Sequence, residues 1–334
     1  MGAAAVGLVG CSSNGNEAGP TGSTSASAVT PPSTPSTTVD SSSPATAATT
    51  ATVAPLPHSI VWPIPPLEPE PQAKERAVRL VEALTSWSMG QSGEAAAVAR
   101  LATLRIPTAK AAELAASAES FLGSAAEATS TVISAQYGGL TATQASILIT
   151  FRQWTRGPDG AVIPGGSAAD ARLDLGGTGW VVTQLNPAQP DPALAAPSDL
   201  IRQVLGHPKI HLPPSAVADI AAGNLRPKPM QAMLDLAGTY EIDVSIVFSA
   251  HPTNVFATDR LSDHTRRRAF DVWAINGQSV IGESTPDALV DGFLRDAVDA
   301  GAYNVGGPRQ LSGSAFFSDR THRDHTHIAF RTDT

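Results

Sequence analysis

Five of the eight histidines, His251, His264, His322, His325 and His327, lie in residues 251–334. Imidazole binds transition metals and moves protons near neutral pH, so the chain's chemistry is expected there. Two short segments carry it. One is Ser262-Asp263-His264-Thr265-Arg266-Arg267-Arg268-Ala269-Phe270-Asp271; the other is His322-Arg323-Asp324-His325-Thr326-His327. Along a strand, alternate side chains share a face, so His325 and His327 project to one side. Side by side they can ligate one metal, or one can ligate while its neighbour handles a proton or an oxyanion. In the first segment His264 and Asp271 stand seven residues apart, and Ala269-Phe270-Asp271 leads into an apolar strand.

Together the two segments resemble the Ser-x-His-x-x-Gly-x-Ala-x-Asp signature and the C-terminal His-x-His, with an acidic residue before it, of a family of zinc metallopeptidases. That family includes D-Ala-D-Ala carboxypeptidases, endolysin L-alanyl-D-glutamate peptidases and the hedgehog-like fold. The resemblance covers roughly residues 225–330. It implies Zn2+ held by His264, Asp271 and His327, with a fourth position open to water, the pattern of a catalytic rather than a structural site. Zinc there would acidify the water and polarise the scissile carbonyl. Asp324 is then the expected general base, provided that it sits in a bend before the strand. His325 is expected to stabilise the oxyanion or to orient Asp324. Ser262 supports the site from behind the ligands.

Arg267 stands where the signature has Gly, a residue chosen for backbone freedom. It and Arg260 are rival candidates to capture a substrate carboxylate, such as that of D-Glu or a terminal D-Ala. His251 is expected to line the cleft, His322 to lie on a solvent loop, and His207 and His211 at the surface. The implied activity is cleavage of peptidoglycan stem peptides, of the D,D-carboxypeptidase or L,D/D,D-endopeptidase type. A different class of reading is a non-catalytic cell-wall-binding or scaffold lipoprotein that retains the fold, with or without the metal. A zinc-water site alone does not fix the bond cut, which leaves hydrolysis of a non-peptide substrate as a third.

These residues need elements to hold them, and the pattern is α+β throughout. Residues 73–188 read as a small α+β roll similar to nuclear-transport-factor-like domains. Ala77, Leu80, Val81 and Leu84 mark one face of a helix over Ala73–Trp87. Further helices are expected over Glu94–Leu104 and Thr108–Leu122. The period then changes to strands at Thr129–Ala135, Ala145–Trp154, Ala168–Asp174 and Gly179–Leu185, with a Pro158-Asp159-Gly160 turn. No chemical cluster falls in this stretch, so it reads as a spacer or protein-contact module. A linker at 189–198 leads to the zinc-peptidase-like region, 199–334, with its antiparallel sheet. There, helices are expected at Asp199–Leu205, Pro214–Ala222 and Pro229–Ala237. A helix beginning at Thr285-Pro286 has Thr285 as cap and Pro286 at its first position. Strands are expected at Ile242–Phe248, Asp271–Ile275 and His325–Phe330.

Ahead of these regions the composition is different. Residues 12–72 are rich in Ser, Thr and Pro, bury too little apolar surface to offset ordering entropy, and read as a disordered stalk. Residues 1–11 end in Leu8-Val9-Gly10-Cys11, which resembles the lipobox of a bacterial lipoprotein signal, with Cys11 as the lipidated residue. The expected location is therefore extracytoplasmic, on the cell membrane through a lipid anchor. No segment approaches the ~20 apolar residues of a membrane-spanning helix. Cys11 is the single cysteine, which excludes an intramolecular disulfide. Only four of the 22 basic residues are Lys, in a chain rich in Ala and Gly, as in GC-rich actinobacterial sequences. A net charge of -8 and a pI near 5.4 exclude a nucleic-acid binder, which needs a basic surface. Residues 73–188 remain open to a protein partner.

Overall fold

The computed structural model describes residues 54–331, so Cys11, the signal-like segment 1–11 and residues 12–53 of the expected stalk lie outside the described residues. The remainder is mixed α+β. Helix α1 (Pro71–Thr85) starts at a proline, which tolerates the first turn because its missing N–H has no partner there. Its buried residues Ala77, Val78, Leu80, Val81 and Leu84 recur at helical spacing. Lys74 lies on the same buried stripe. Helices α2 (Glu94–Thr103), α3 (Thr108–Ser117) and α4 (Glu119–Leu122) follow, the last two separated by a break at Ala118.

Four strands form an antiparallel meander in sequence order: β1 (Ala128–Leu140), β2 (Gln144–Arg156), β3 (Val162–Gly176) and β4 (Gly179–Pro187). β1 and β3 run longer than the sequence pattern suggests, because the ladder with β2 continues through Leu140 at the end of β1 and from Val162 at the start of β3. In β2 every residue from Ala145 to Phe151 is buried, where alternation would leave every second one wet. The cause is cover on both faces. Ile147, Ile149 and Phe151 pack with α1, while Leu148 joins Ala168, Ala188 and Ile246 on the other side. Ile246 belongs to the second half of the chain, so the meander is sandwiched between its own helices and that half.

The second half contains α5 (Asp199–Leu205), β5 (Ile210–His211), α6 (Pro214–Ala221), α7 (Pro227–Ala237), β6 (Ile242–Val244), β7 (Ala269–Ile275), β8 (Gln278–Ser279), α8 (Asp287–Asp299), β9 (Asn304–Gly306), β10 (Phe316–Phe317) and β11 (Thr326–Ala329). Its sheet has the order β10-β9-β11-β7-β6-β5, with β8 paired to β7. The pairings around β7 and β11 are antiparallel, whereas β5/β6 and β9/β10 are parallel. Helix α6 packs across β2 and β3.

Two local expectations change. The strand expected over Ile242–Phe248 leaves the regular ladder after Val244, past an irregularity at Asp243/Val244. Asp219 of α6 captures the backbone N–H groups of Phe248 (3.1 Å) and Ser249 (2.8 Å), which turns the chain away from the sheet. At the start of α8 the cap position is held by Pro286, and the Thr285 hydroxyl instead donates to the Ser279 carbonyl at 2.7 Å.

Residues 54–70, expected to continue the stalk, have no regular secondary structure but lie against the fold. Ser59 Oγ donates to the Ser130 carbonyl at 3.0 Å, and Glu68 is buried. Lys74 is fully buried and pairs with Glu68 at 2.5 Å and with Asp324 at 2.6 Å. Burial, opposed by Lys74, pushes the Glu68 carboxyl up to about 7. One cation thus joins the first helix to the end of the chain. Removing it leaves two carboxylates in a dry site. Lys74→Met is expected to destabilise the protein by about 3–5 kcal/mol in chemical denaturation, and a loss under about 1 kcal/mol would mean that water reaches the site.

Candidate metal centre

Strands β7 and β11 are paired so that Asp271 lies directly opposite His327. Directly opposed residues on one face bring their side chains together, so the sheet register alone joins two of the expected ligands. The third, His264, comes from a tight turn between β6 and β7. Ser262 caps that turn by accepting from the His264 N–H at 3.2 Å, and backbone bonds from Arg266, Arg267 and Arg268 close it. Arg267 sits there at φ 59°, the left-handed conformation for which the signature's Gly is suited. In an L-residue this conformation costs roughly 1–2 kcal/mol. The Arg267 backbone is tied in place, because its N–H donates to the His264 carbonyl at 2.7 Å and its carbonyl accepts from the Arg226 N–H at 2.9 Å.

Three ligand atoms converge. His264 Nε2 lies 3.1 Å from Asp271 Oδ1 and 3.2 Å from His327 Nδ1, and His327 Nδ1 is 3.0 Å from Asp271 Oδ1. His264 donates its Nδ1–H to the Val247 carbonyl at 2.7 Å, so its Nε2 carries a lone pair toward the other two. A proton on His327 Nδ1, or a metal ion shared by all three atoms, keeps these electron pairs from opposing one another. Tetrahedral zinc with bonds of 2.0–2.1 Å sets ligand atoms roughly 3.3 Å apart, close to the separations seen here. His251, His264 and Asp271 also bring one ligand atom each within 4.8 Å of one another, so this group could hold a metal ion. The His251 ring stacks on His264 at 4.1 Å and donates Nδ1–H to the Pro252 carbonyl, leaving Nε2 as a further donor atom. Burial, reinforced by the neighbouring His264, keeps His251 neutral, as a ligand must be.

The candidate ligands are themselves held. Gln136 of β1 donates to Asp271 Oδ2 at 2.6 Å. Asp263 faces His327 Nε2 at 4.0 Å and accepts from Arg268 Nε at 2.9 Å and Tyr303 OH at 2.9 Å. Burial disfavours the Asp271 carboxylate, but His264 and then His325 outweigh it and hold the group well below the usual range.

Asp271, His327 and His251 line a cleft of about 410 Å³, with His264 behind them. One wall is the end of β1, from Tyr137 to Thr141; another is the hairpin carrying Val255, Phe256 and Arg260. Gly139 leaves room for Phe256, whose Cβ would stand 2.1 Å from a Cβ at that position. Gly306 opposite His327 does the same for the Phe317 and His322 rings, 2.5 Å and 3.0 Å from such an atom.

The structure brings His251, Arg260, Ser262, Asp271, His325 and His327 to this cleft, with His264 directly behind its floor. Two expected site residues stand elsewhere. The Arg267 guanidinium lies over the Phe248 ring at 5.3 Å and reaches 3.9 Å from Asp191, away from the cleft. Asp324 does sit in a bend, at the end of a 3-10 turn over Thr321–Arg323. It is buried behind the wall, however, and both of its oxygens are occupied. Oδ2 accepts from Lys74 Nζ at 2.6 Å and from the Tyr137 N–H at 3.1 Å, while Oδ1 accepts from His325 Nδ1 at 2.7 Å. Against the effect of burial, Lys74 and then His325 hold Asp324 below the usual carboxylate range. His325 is therefore the member of this pair that meets the cleft. His322, expected in solvent, also lines the cleft, 5.1 Å from the His325 ring, with Asp319 on its Nδ1 at 2.8 Å. His211 lies outside it, between Glu241 and Asp243.

Gln136, Lys74, Asp263 and Tyr303 carry no motif in the sequence that marks them as site residues. Lys74 left a trace, a charge on an apolar helical stripe. Gln136 left a weaker one, a polar residue two after Ser134 and so on the same face of a strand. No protein-family model matches the chain, and no curated protein matches it.

Burial opposes a charge on His327, yet Asp263 and Asp271 together outweigh it and raise its pKa to about 9 from 6.5. A pKa raised on folding stabilises fully below the unfolded value and ceases to do so above the folded one. The metal-free chain is therefore expected to lose melting temperature between pH 6.5 and 9. Metal binding must displace this proton, so its apparent affinity should tighten with pH over the same window, by up to about tenfold per unit. A pH-independent affinity measured by chelator competition would remove His327 from the ligand set.

Proposed function

We propose that the chain is a metal-dependent hydrolase. The convergence of His264 Nε2, Asp271 Oδ1 and His327 Nδ1 to within 3.0–3.2 Å on the floor of a cleft carries this reading. Two imidazoles and one carboxylate suit zinc, and three protein ligands leave a position open. More particularly, the sequence signature supports a zinc peptidase of the D-Ala-D-Ala carboxypeptidase, L-alanyl-D-glutamate endolysin and hedgehog-like type, acting on peptidoglycan stem peptides. The lipobox-like Leu8-Val9-Gly10-Cys11 supports work outside the membrane on a lipid anchor.

The chemistry that zinc supplies in such a site is Lewis acidity toward a carbonyl and toward water. The remaining steps fall to the protein. His325 presents Nε2 to the cleft because Asp324 holds Nδ1–H, which fixes the tautomer; it takes the proton of the attacking water and returns it to the leaving amine. Asp324 orients His325 and does not itself meet the substrate. Arg260, exposed on the hairpin wall, pairs with a substrate carboxylate. Burial lowers the pKa of His322 against the opposing effect of the Asp319 carboxylate on its Nδ1, which leaves a neutral ring beside the same cleft.

The test is digestion of purified peptidoglycan by the full-length chain, scored as newly released amino groups. Release should stop with chelator and return with zinc. His325→Ala should retain metal while losing roughly 10²–10⁴-fold in rate. Full activity in that variant would remove the proton role from His325. Tight zinc binding with no amine release from any stem peptide would favour the wall-binding reading instead.

A further inference from the structure

We infer that Gln136, from the four-stranded sheet in the first half of the chain, is a positioning residue of the metal centre that makes Asp271 a one-oxygen ligand. The inference rests on the metal-site reading above. Asp271 has two oxygens in a fully buried site, and only Oδ1 faces His264 and His327. Oδ2 accepts from Gln136 Nε2 at 2.6 Å. A carboxylate can only accept, so the amide must turn its NH2 toward Asp271 and its carbonyl oxygen away. That oxygen accepts from the Ser245 hydroxyl, which holds the amide in this orientation. Ser245 is in turn built into the same strand pairing, its N–H donating to the Asp271 carbonyl at 2.9 Å. The chain Ser245, Gln136, Asp271 is buried at every member.

The alternative open to Oδ2 explains why this matters. Without the Gln136 N–H, Oδ2 can rotate to bind the metal alongside Oδ1, which raises the coordination number and closes the open position. Gln136 blocks that rotation. Its neighbour Tyr137 does the corresponding work on Asp324 with a backbone N–H at 3.1 Å. Two successive residues of β1 thus hold the two carboxylates on which the ligand set and His325 depend. The first half of the chain is part of the site and not a spacer.

The experiment measures Zn2+ dissociation constants by chelator competition, and Co2+ absorption spectra, on the full-length chain and on Gln136→Met and Ser245→Ala. Gln136→Met keeps the volume and removes the N–H. It should weaken Zn2+ by about 10–100-fold, the usual cost of losing a group that orients a ligand. Its Co2+ bands should weaken as coordination rises above four. Ser245→Ala leaves the Asp271 contact but frees the amide, and should move both readouts in the same direction by less. A merely structural Gln136 would lower the melting temperature of metal-free and loaded protein alike and leave the Zn2+ constant and the Co2+ spectrum unchanged; that result overturns the inference. If Gln136→Met does not fold, Ser245→Ala decides, because an unchanged constant and spectrum there overturn it equally. Failure of the unaltered chain to bind Zn2+ would instead overturn the metal site itself.

Discussion

A carboxylate sealed inside a protein must be surrounded by cations or hydrogen-bond donors, because water no longer solvates it. Asp271 is such a group, and much of the second half is arranged about it. Strand β11 brings His327 opposite it, the turn from Ser262 to Arg268 brings His264 onto the same oxygen, and β1 supplies a donor for the other oxygen. In the metal-free chain a proton on His327 serves the facing acceptors Asp271 and His264. A divalent cation can take the place of that proton, and so the electrostatics of burial and the demands of a metal site point to the same atoms.

The same logic explains the second buried carboxylate. Asp324 is neutralised by Lys74 and engaged by a backbone N–H, which leaves His325 as its outward-facing partner. An acid held this firmly is a poor proton acceptor but a good anchor for an imidazole. Both carboxylates take their outer contacts from α1 and β1. The buried faces of β2, which pack apolar residues against both halves, keep these long-range contacts in register. Close packing of this kind resists small shifts, and ligand geometry tolerates few.

Arg267 illustrates how backbone and side chain can part company at a motif position. The turn needs a left-handed residue there, which accounts for the signature's glycine. Arginine accepts the conformation at a cost and carries its guanidinium over Phe248 and toward Asp191, outside the cleft. The backbone requirement is therefore met while the side chain plays no part in the site, leaving Arg260 as the basic residue on the cleft wall.

What the sequence by itself determined was local. The helical stripe of α1, the strand meander and the turn chemistry around His264 are set over a few residues. So is the alternation that turns His325 and His327 to one side, and these patterns were legible with the likeness to a peptidase signature. Tertiary structure decided which of these groups meet a substrate and which stand behind them. Gln136 reaches Asp271 across 135 residues of chain, and Lys74 reaches Asp324 across 250. No periodicity connects positions that far apart. Their meeting depends on how two sheets pack, and packing is a property of the summed apolar surface rather than of any motif. It placed Asp324 behind the wall, drew His322 to the cleft, and made the strand that looked chemically silent part of the candidate metal centre.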